Sequence, residues 1–397
     1  MATTNPAAEV PAPRYSTILI GVLPLLALAL VLGLFIIGDP TAIFTGDAPP
    51  VEELQTQRVS LDDQGFLVEI INSGPDPVTL AQVTVDDAYW AFEFERGDRQ
   101  LSRLETAALR IPYPWVEGEA HEIKLLTSTG LAFSVPVEVA IKTPVADGDQ
   151  FLAYGLLGIY VGVVPVALGL LWYPFMRRIS RQWMNFALAL TVGLLIFLLA
   201  DTLLEALEIA PQVPGIFQGE SLVILITLLT FLAIVAIGRN ANRNESRLYL
   251  AYMIAVGIGF HNLGEGLAVG AAFAVGAASL GTFLVIGFTL HNITEGIGIA
   301  APVVSEQPRL VHFVVLALIA GVPAVIGAWI GGFAFSPLLA VLFLSIGAGA
   351  ILQVIYEVSR LLVRDAARHH EVALSWLNLA GLVAGIAIMY FTAFFVK

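Results

Sequence analysis

Nine apolar stretches constrain this chain more than any other feature. Each is close to the roughly 20 residues that a helix needs to cross a bilayer. They run over 15–37, 151–176, 184–207, 220–238, 248–275, 280–304, 310–333, 336–359 and 374–396. Composition agrees: charged residues make up only 13% of the chain and hydrophobic ones 57%, against about 25% charged in a soluble domain. The chain therefore reads as a multi-pass helical membrane protein in a cell membrane. The first stretch is longer than the apolar core of a secretory signal, and no clear small-residue cleavage site follows it. It reads as a retained anchor over 15–37, behind a cytoplasmic N-terminus over 1–14.

Short loops give an orientation. Arg177, Arg178 and Arg181 follow the second stretch, Arg239, Arg243 and Arg247 the fourth, Arg309 the sixth, and Arg360, Arg364 and Arg368 the eighth. The alternate loops, 208–219, 276–279 and 334–335, hold no Lys or Arg. Basic loops stay in the cytoplasm, so Arg14 lies inside, while the segment after the anchor and the C-terminus lie outside.

Between anchor and second stretch the texture changes. Residues 50–145 are polar, with β-rich runs at 65–71, 77–85, 89–95, 109–111, 122–127 and 132–141. Asn72-Ser-Gly-Pro-Asp-Pro77 is a strong turn signal. This spacing predicts a small extracytoplasmic β-sandwich, and the run around that turn resembles immunoglobulin-like accessory domains of cell-surface proteins. Residues 38–150 carry 20 acidic and 7 basic residues, while the rest of the chain is balanced. An acidic segment of this kind repels nucleic acid and anionic lipid; no nucleic-acid partner is expected.

The chemistry lies in a repeat. His261-Asn-Leu-Gly-Glu-Gly266 and His291-Asn-Ile-Thr-Glu-Gly296 share the pattern HNxxEG, 30 residues apart, each near the middle of its own apolar stretch. His261, Asn262 and Glu265 share one helix face by their three- and four-residue spacing; so do His291, Asn292 and Glu295. If the two faces meet, two imidazoles, two amides and two carboxylates converge at mid-membrane. A carboxylate there costs about 2.5–3.5 kcal/mol on insertion scales, and a bound divalent cation, or protonation, would offset that cost. Cysteine is absent, which excludes disulfides and thiolate ligands. Imidazole and carboxylate suit zinc first, with iron, manganese, cobalt or nickel as alternatives, better than copper(I).

The paired HNxxEG motifs resemble the fourth and fifth core helices of the ZIP (Zrt/Irt-like) metal transporters. The resemblance extends over 151–397 and implies a membrane all-α fold: an eight-helix transporter bundle, here preceded by one anchor helix and the β-sandwich. It also implies metal uptake into the cytoplasm by alternating access, with His261, Asn262, Glu265, His291, Asn292 and Glu295 as metal-site positions. This chain has Gly264 and Thr294 where the family commonly has proline before the motif's Glu. It has Val322 where many members place a further Glu before a proline, and that departure favours one metal over two.

Asp201, Glu205 and Glu208 form an acidic stripe that is a candidate inlet. Gln353 and Glu357 form a candidate exit. His369, His370 and His312 read as loop or interfacial residues, and His121 has no evident partner. Membrane lipid and the metal are the expected partners, with homo-oligomerisation open and the partner of the β domain unassigned. Two alternatives accompany the transporter reading. One is a degenerate transporter acting as a metal sensor or receptor. The other is an intramembrane metal-dependent hydrolase, against which the absence of HExxH and GxSxG patterns weighs.

Overall fold

The computed structural model describes residues 15–38, 50–143, 147–178, 180–240, 247–274, 277–304 and 306–393. The expected cytoplasmic segment 1–14 with Arg14, Arg243, and the last two residues of the expected β domain lie outside the described residues. The chain forms two compact units, Met1–Pro50 and Val51–Lys397. The first contains helix α1 (Tyr15–Gly38), apolar along its whole length. Its described side chains are almost all exposed, which suits a helix whose solvent is lipid.

The second unit opens with nine strands: β1 (Leu54–Asp62), β2 (Gly65–Asn72), β3 (Val78–Val85), β4 (Ala88–Trp90), β5 (Glu93–Arg96), β6 (Gln100–Leu101), β7 (Thr106–Ile111), β8 (His121–Thr127) and β9 (Ala132–Val137). One sheet has the order β1-β2-β7-β5; the other has β4-β3-β8-β9, with β6 pairing β3. All pairs are antiparallel. Alternate residues of β2 (Phe66, Val68 and Ile70) are fully buried, as the two-residue period of a half-buried strand requires. They join Leu80 and Val83 of β3, Leu109 of β7, and Ile123 and Leu125 of β8 in one core between the sheets. The Asn72 turn is held from inside. Its Nδ2 donates to Asp76 O and Leu101 O at 2.8 and 2.9 Å, and its Oδ1 accepts from the Gly74 amide at 3.0 Å. The single strand expected over 89–95 is instead two, β4 and β5, in different sheets.

The helices follow: α2 (Gly148–Gly158), a π-helical turn (Ile159–Val163), α3 (Val164–Leu170), α4 (Tyr173–Met176), α5 (Arg181–Ile209), α6 (Gly219–Asn240), α7 (Arg247–Ala274), α8 (Ala278–Ala300), α9 (Leu310–Ala334), α10 (Pro337–Arg368) and α11 (Trp376–Ala393). Among the described residues, six segments are long and apolar enough to cross a membrane: Gly148–Met176, Arg181–Gln212, Gly215–Ile237, Ala278–Val303, Leu310–Ala334 and Pro337–Arg368. Nine were expected. Two of the other three, Val22–Phe35 and Trp376–Phe391, are apolar but shorter over the described residues. The third, α7, is long enough at 28 residues, yet its His, Asn, Glu and glycines dilute its hydropathy. The polarity that marks α7 as functional is the same polarity that removes it from the count.

Small residues let the helices touch backbone to backbone. A Cβ on Gly266 would lie 2.0 Å from Ala324 O, and one on Gly327 would lie 2.1 Å from Leu263 O, so α7 and α9 pack without side chains between them. Gly296 and Gly169 do the same for α8 and α3, at 2.3 Å from Val166 O and 2.1 Å from Ile293 O. At one end of the bundle, Asp365 of α10 takes Arg181 and Asn185 of α5 at 3.4 and 3.1 Å and Arg247 of α7 at 3.9 Å. At the other end lies β1: Arg58 Nη1 donates to Phe333 O at 3.1 Å, and Gln55 Nε2 donates to Val213 O at 3.5 Å. Arg58 thereby serves a carbonyl that the end of α9 leaves unpaired.

Candidate metal centre

Both motifs are helical throughout, on α7 and α8, and all six polar residues are buried. The two polar faces do meet. His261, Glu265 and His291 each offer one ligand atom, and these atoms lie within 4.8 Å of one another. An ion about 2.0–2.2 Å from each ligand fits that separation. His261 Nε2 lies 3.0 Å from Glu265 Oε1, and His291 Nε2 is in contact with the same oxygen. Asn292 Nδ2 donates to Glu265 Oε2 at 2.8 Å. The two imidazole rings are 6.0 Å apart.

The asparagines are anchored by their amide hydrogens. Pro165 has no N–H, so Val161 O, four residues earlier, lacks its α-helical donor. Asn292 Nδ2 donates to that carbonyl at 3.1 Å. Asn262 Nδ2 donates to Ala320 O at 3.0 Å, beside Pro323 in α9. Both Oδ1 atoms are buried and have no hydrogen-bond partner. The motif's asparagines thus fasten α7 and α8 to neighbouring helices with one end and leave a carbonyl oxygen available with the other.

Thr202 of α5 completes the arrangement, and sequence reading passed over it. Its hydroxyl donates to Leu198 O at 2.8 Å and sits 2.9 Å from His261 Nδ1. While the hydroxyl proton stays on Leu198 O, the Thr202 oxygen accepts from His261 Nδ1–H. In the neutral imidazole this leaves the Nε2 lone pair facing Glu265, the tautomer that a metal ligand requires. Thr202 follows Asp201 directly, and a hydroxyl inside an apolar run was the only signal of it in the sequence.

Glu295 lies close enough to His261, Glu265 and His291 for their charges to interact. It is not in the three-residue cluster, and neither of its carboxylate oxygens has a hydrogen-bond partner, although it is 4% exposed. It lines a narrow pocket with Thr191, Leu198, Ile258 and Met389. The pocket has room for about one water. No Lys or Arg pairs with Glu265 or Glu295 among the described residues. An uncompensated buried carboxylate is costly, and a bound cation or protonation relieves it.

The flanking candidates lie on α5 and α10. Glu205 of α5 is half-buried and close enough to His261 for their charges to interact. Asp201 is half-buried and Glu208 exposed on the same helix. Gln353 of α10 is buried, and its Oε1 has no partner. Glu357, one turn on, is half-buried and 3.9 Å from Arg360. Val322 is 38% exposed on α9 and adds no polar group to the cluster. His312 pairs with the Tyr252 hydroxyl at 2.8 Å. His121 does have partners, contrary to expectation: its Nδ1 lies 2.8 Å from Asp86 Oδ2. Asp86 is 35 positions away in sequence, so only the pairing of β3 with β8 reveals the contact.

Residues 222–393 match the family model described as ZIP Zinc transporter; no curated protein matches the chain. The match begins in α6 and covers both motifs, a shorter span than the resemblance over 151–397. ZIP family proteins are transporters and not enzymes, which sets the hydrolase alternative aside. The residues around this His–Glu–His cluster match a ZIP zinc transporter domain, and the six long apolar segments are those of a multi-pass membrane protein.

Proposed function

We propose that the chain moves one divalent transition-metal ion, zinc first, into the cytoplasm through a site formed by His261, Glu265 and His291. Asn262 Oδ1, Asn292 Oδ1 and Glu295 serve as further oxygen donors. The observation that carries this reading is the excess of buried, unpartnered oxygens beside two imidazoles in mid-helix. In this reading the ion enters past Asp201, Glu205 and Glu208 and leaves past Gln353 and Glu357. Several weak ligands around one ion favour release as well as capture, as transport requires.

Eight helices, α2–α4 counted as one with α5 to α11, would form the transporter over 151–397. The β domain at 50–145 would be an immunoglobulin-like sandwich on the extracytoplasmic side, behind an anchor at 15–37. The alternation of basic loops supports a cytoplasmic N-terminus and an external C-terminus in the cell membrane. Homo-oligomerisation and a partner for the β domain belong to the same proposal. Purified protein in liposomes, assayed for radioactive zinc, manganese and iron(II) flux, tests it. Flux that Glu265→Gln abolishes supports the site. Metal binding without flux would convert the reading to a metal sensor.

A further inference from the structure

A cleft of about 340 Å³ opens on the side of the bundle between α3–α4 and α9. Its walls are apolar: Ala167, Leu170 and Tyr173 on one side, and Phe313, Ala317 and Leu318 on the other. The Tyr173 and Phe313 rings, 4.6 Å apart, join the two walls. The Tyr173 hydroxyl donates to Glu306 O at 2.6 Å, which draws the end of α4 to the segment that leads into α9. Three arginines follow or precede the lining residues Tyr173, Pro174 and Leu310 closely in sequence. Arg309 directly precedes the first residue of α9, and Arg177 and Arg178 directly follow α4. All three are exposed, and the Arg177 guanidinium lies 5.9 Å from the Tyr173 ring centroid.

Their pairing sets them apart from their neighbours. Arg181 and Arg247, at the same end of the bundle, are held by Asp365 and Glu371. Arg177, Arg178 and Arg309 have no carboxylate partner among the described residues. The nearest acid in sequence, Glu306, has its Oε1 engaged by the Arg247 amide at 3.1 Å. A hydrocarbon-lined cleft that opens among unpaired guanidiniums complements a molecule with an apolar tail and an anionic head. Basic pockets between membrane helices bind acidic lipid headgroups in this way, and guanidinium forks suit phosphate.

We infer that this cleft is a binding site for one anionic phospholipid. An acyl chain lies between α3–α4 and α9, and its phosphate is held by Arg177, Arg178 and Arg309. Each wall also belongs to the metal centre's surroundings: α3 packs on α8 through Gly169 and Gly296, and α9 packs on α7 through Gly266. The lipid would therefore brace the two motif helices from outside without touching the metal.

Native mass spectrometry of the full chain in detergent, titrated with phosphatidylglycerol or phosphatidylcholine of matched acyl chains, tests the site. One retained phosphatidylglycerol, preferred over phosphatidylcholine, is expected. R177Q/R178Q/R309Q should weaken it by about a hundredfold, at roughly 1 kcal/mol per arginine. Ala317→Trp, which fills the cleft and keeps the arginines, should also displace it. Circular dichroism shows whether each variant is folded, and R177K/R178K/R309K, which keeps the charge, should retain most of the binding. Equal retention of both lipids would overturn the inference. So would binding that survives both the glutamine and the tryptophan variants, displacement by free glycerol phosphate alone, or a second copy of the chain in place of lipid.

Discussion

The two motif copies differ at two of six positions, yet the fold gives their carboxylates different direct partners. Glu265 is crowded by His261, His291 and Asn292. Glu295 has no hydrogen-bond partner and lines a pocket that is otherwise largely apolar. The asymmetry has a geometric origin. The Asn292 amide crosses from α8 to α7 to reach Glu265, whereas the Asn262 amide turns toward α9 and Ala320 O. In the proposed reading, the repeated hexapeptide thus gives a primary ligand in one copy and a reserve oxygen donor in the other. Sequence identity between motifs does not imply equal roles, because each helix has different neighbours.

The comparison can be broken or sharpened by experiment. The largest effect is expected from Glu265→Gln, which removes the charge shared by both histidines. Zinc flux in liposomes should fall at least a hundredfold, as for removal of a ligand charge where partial solvation cannot compensate. Glu295→Gln should cost less, about tenfold in metal affinity by isothermal titration. Equal losses for the two variants would show that the asymmetry disappears once metal is bound. Thr202→Val tests whether α7 owes its ligand geometry to α5. Loss of a residue that orients a ligating histidine typically costs about 10–100-fold, and the low end is expected here because Glu265 also fixes His261. An unchanged affinity would show that Thr202 plays no part in orienting the ring.

The smallest effect on metal binding should come from the β domain, whose His121–Asp86 pair serves as a control. Burial pushes the Asp86 carboxyl up. The Glu122 amide, His121 and the Tyr113 hydroxyl outweigh this and hold it below the usual carboxylate range. A carboxyl depressed on folding stabilises the fold above its unfolded pKa, and that stability is lost as pH falls through the folded value. The Asp86 contribution to β-domain stability should therefore be complete at neutral pH and fade below about pH 4. Asp86→Asn should flatten that acid dependence in thermal melts followed by β-sheet circular dichroism and leave zinc affinity untouched. A change in zinc affinity would mean that the domain and the metal centre are coupled.

How much of this was legible in the chain depends on the range of the physics. The apolar runs, the β-rich insertion and the paired HNxxEG motifs were all readable, because helix and strand periods act over a few residues. The terminal glycine of each motif was visible too, but its reason was not. Gly266 and Gly296 are needed because Ala324 O and Val166 O press against them. The split of 89–95 into β4 and β5 escaped notice because the change of sheet leaves no local mark. The Asp86 partner of His121 and the Thr202 partner of His261 escaped it because each contact joins distant segments.

The residue chemistry by itself determined that this chain belongs in a membrane and that any metal it carries meets nitrogen and oxygen ligands. Charge and hydropathy are properties of the side chains, and no packing changes them. Only the tertiary structure decided which carboxylate the two histidines share, which amide ends face a neighbouring backbone, and which arginines remain unpaired. Those outcomes depend on distances between helices, which are set by where glycine lets backbones touch and where proline frees a carbonyl on the helix next door.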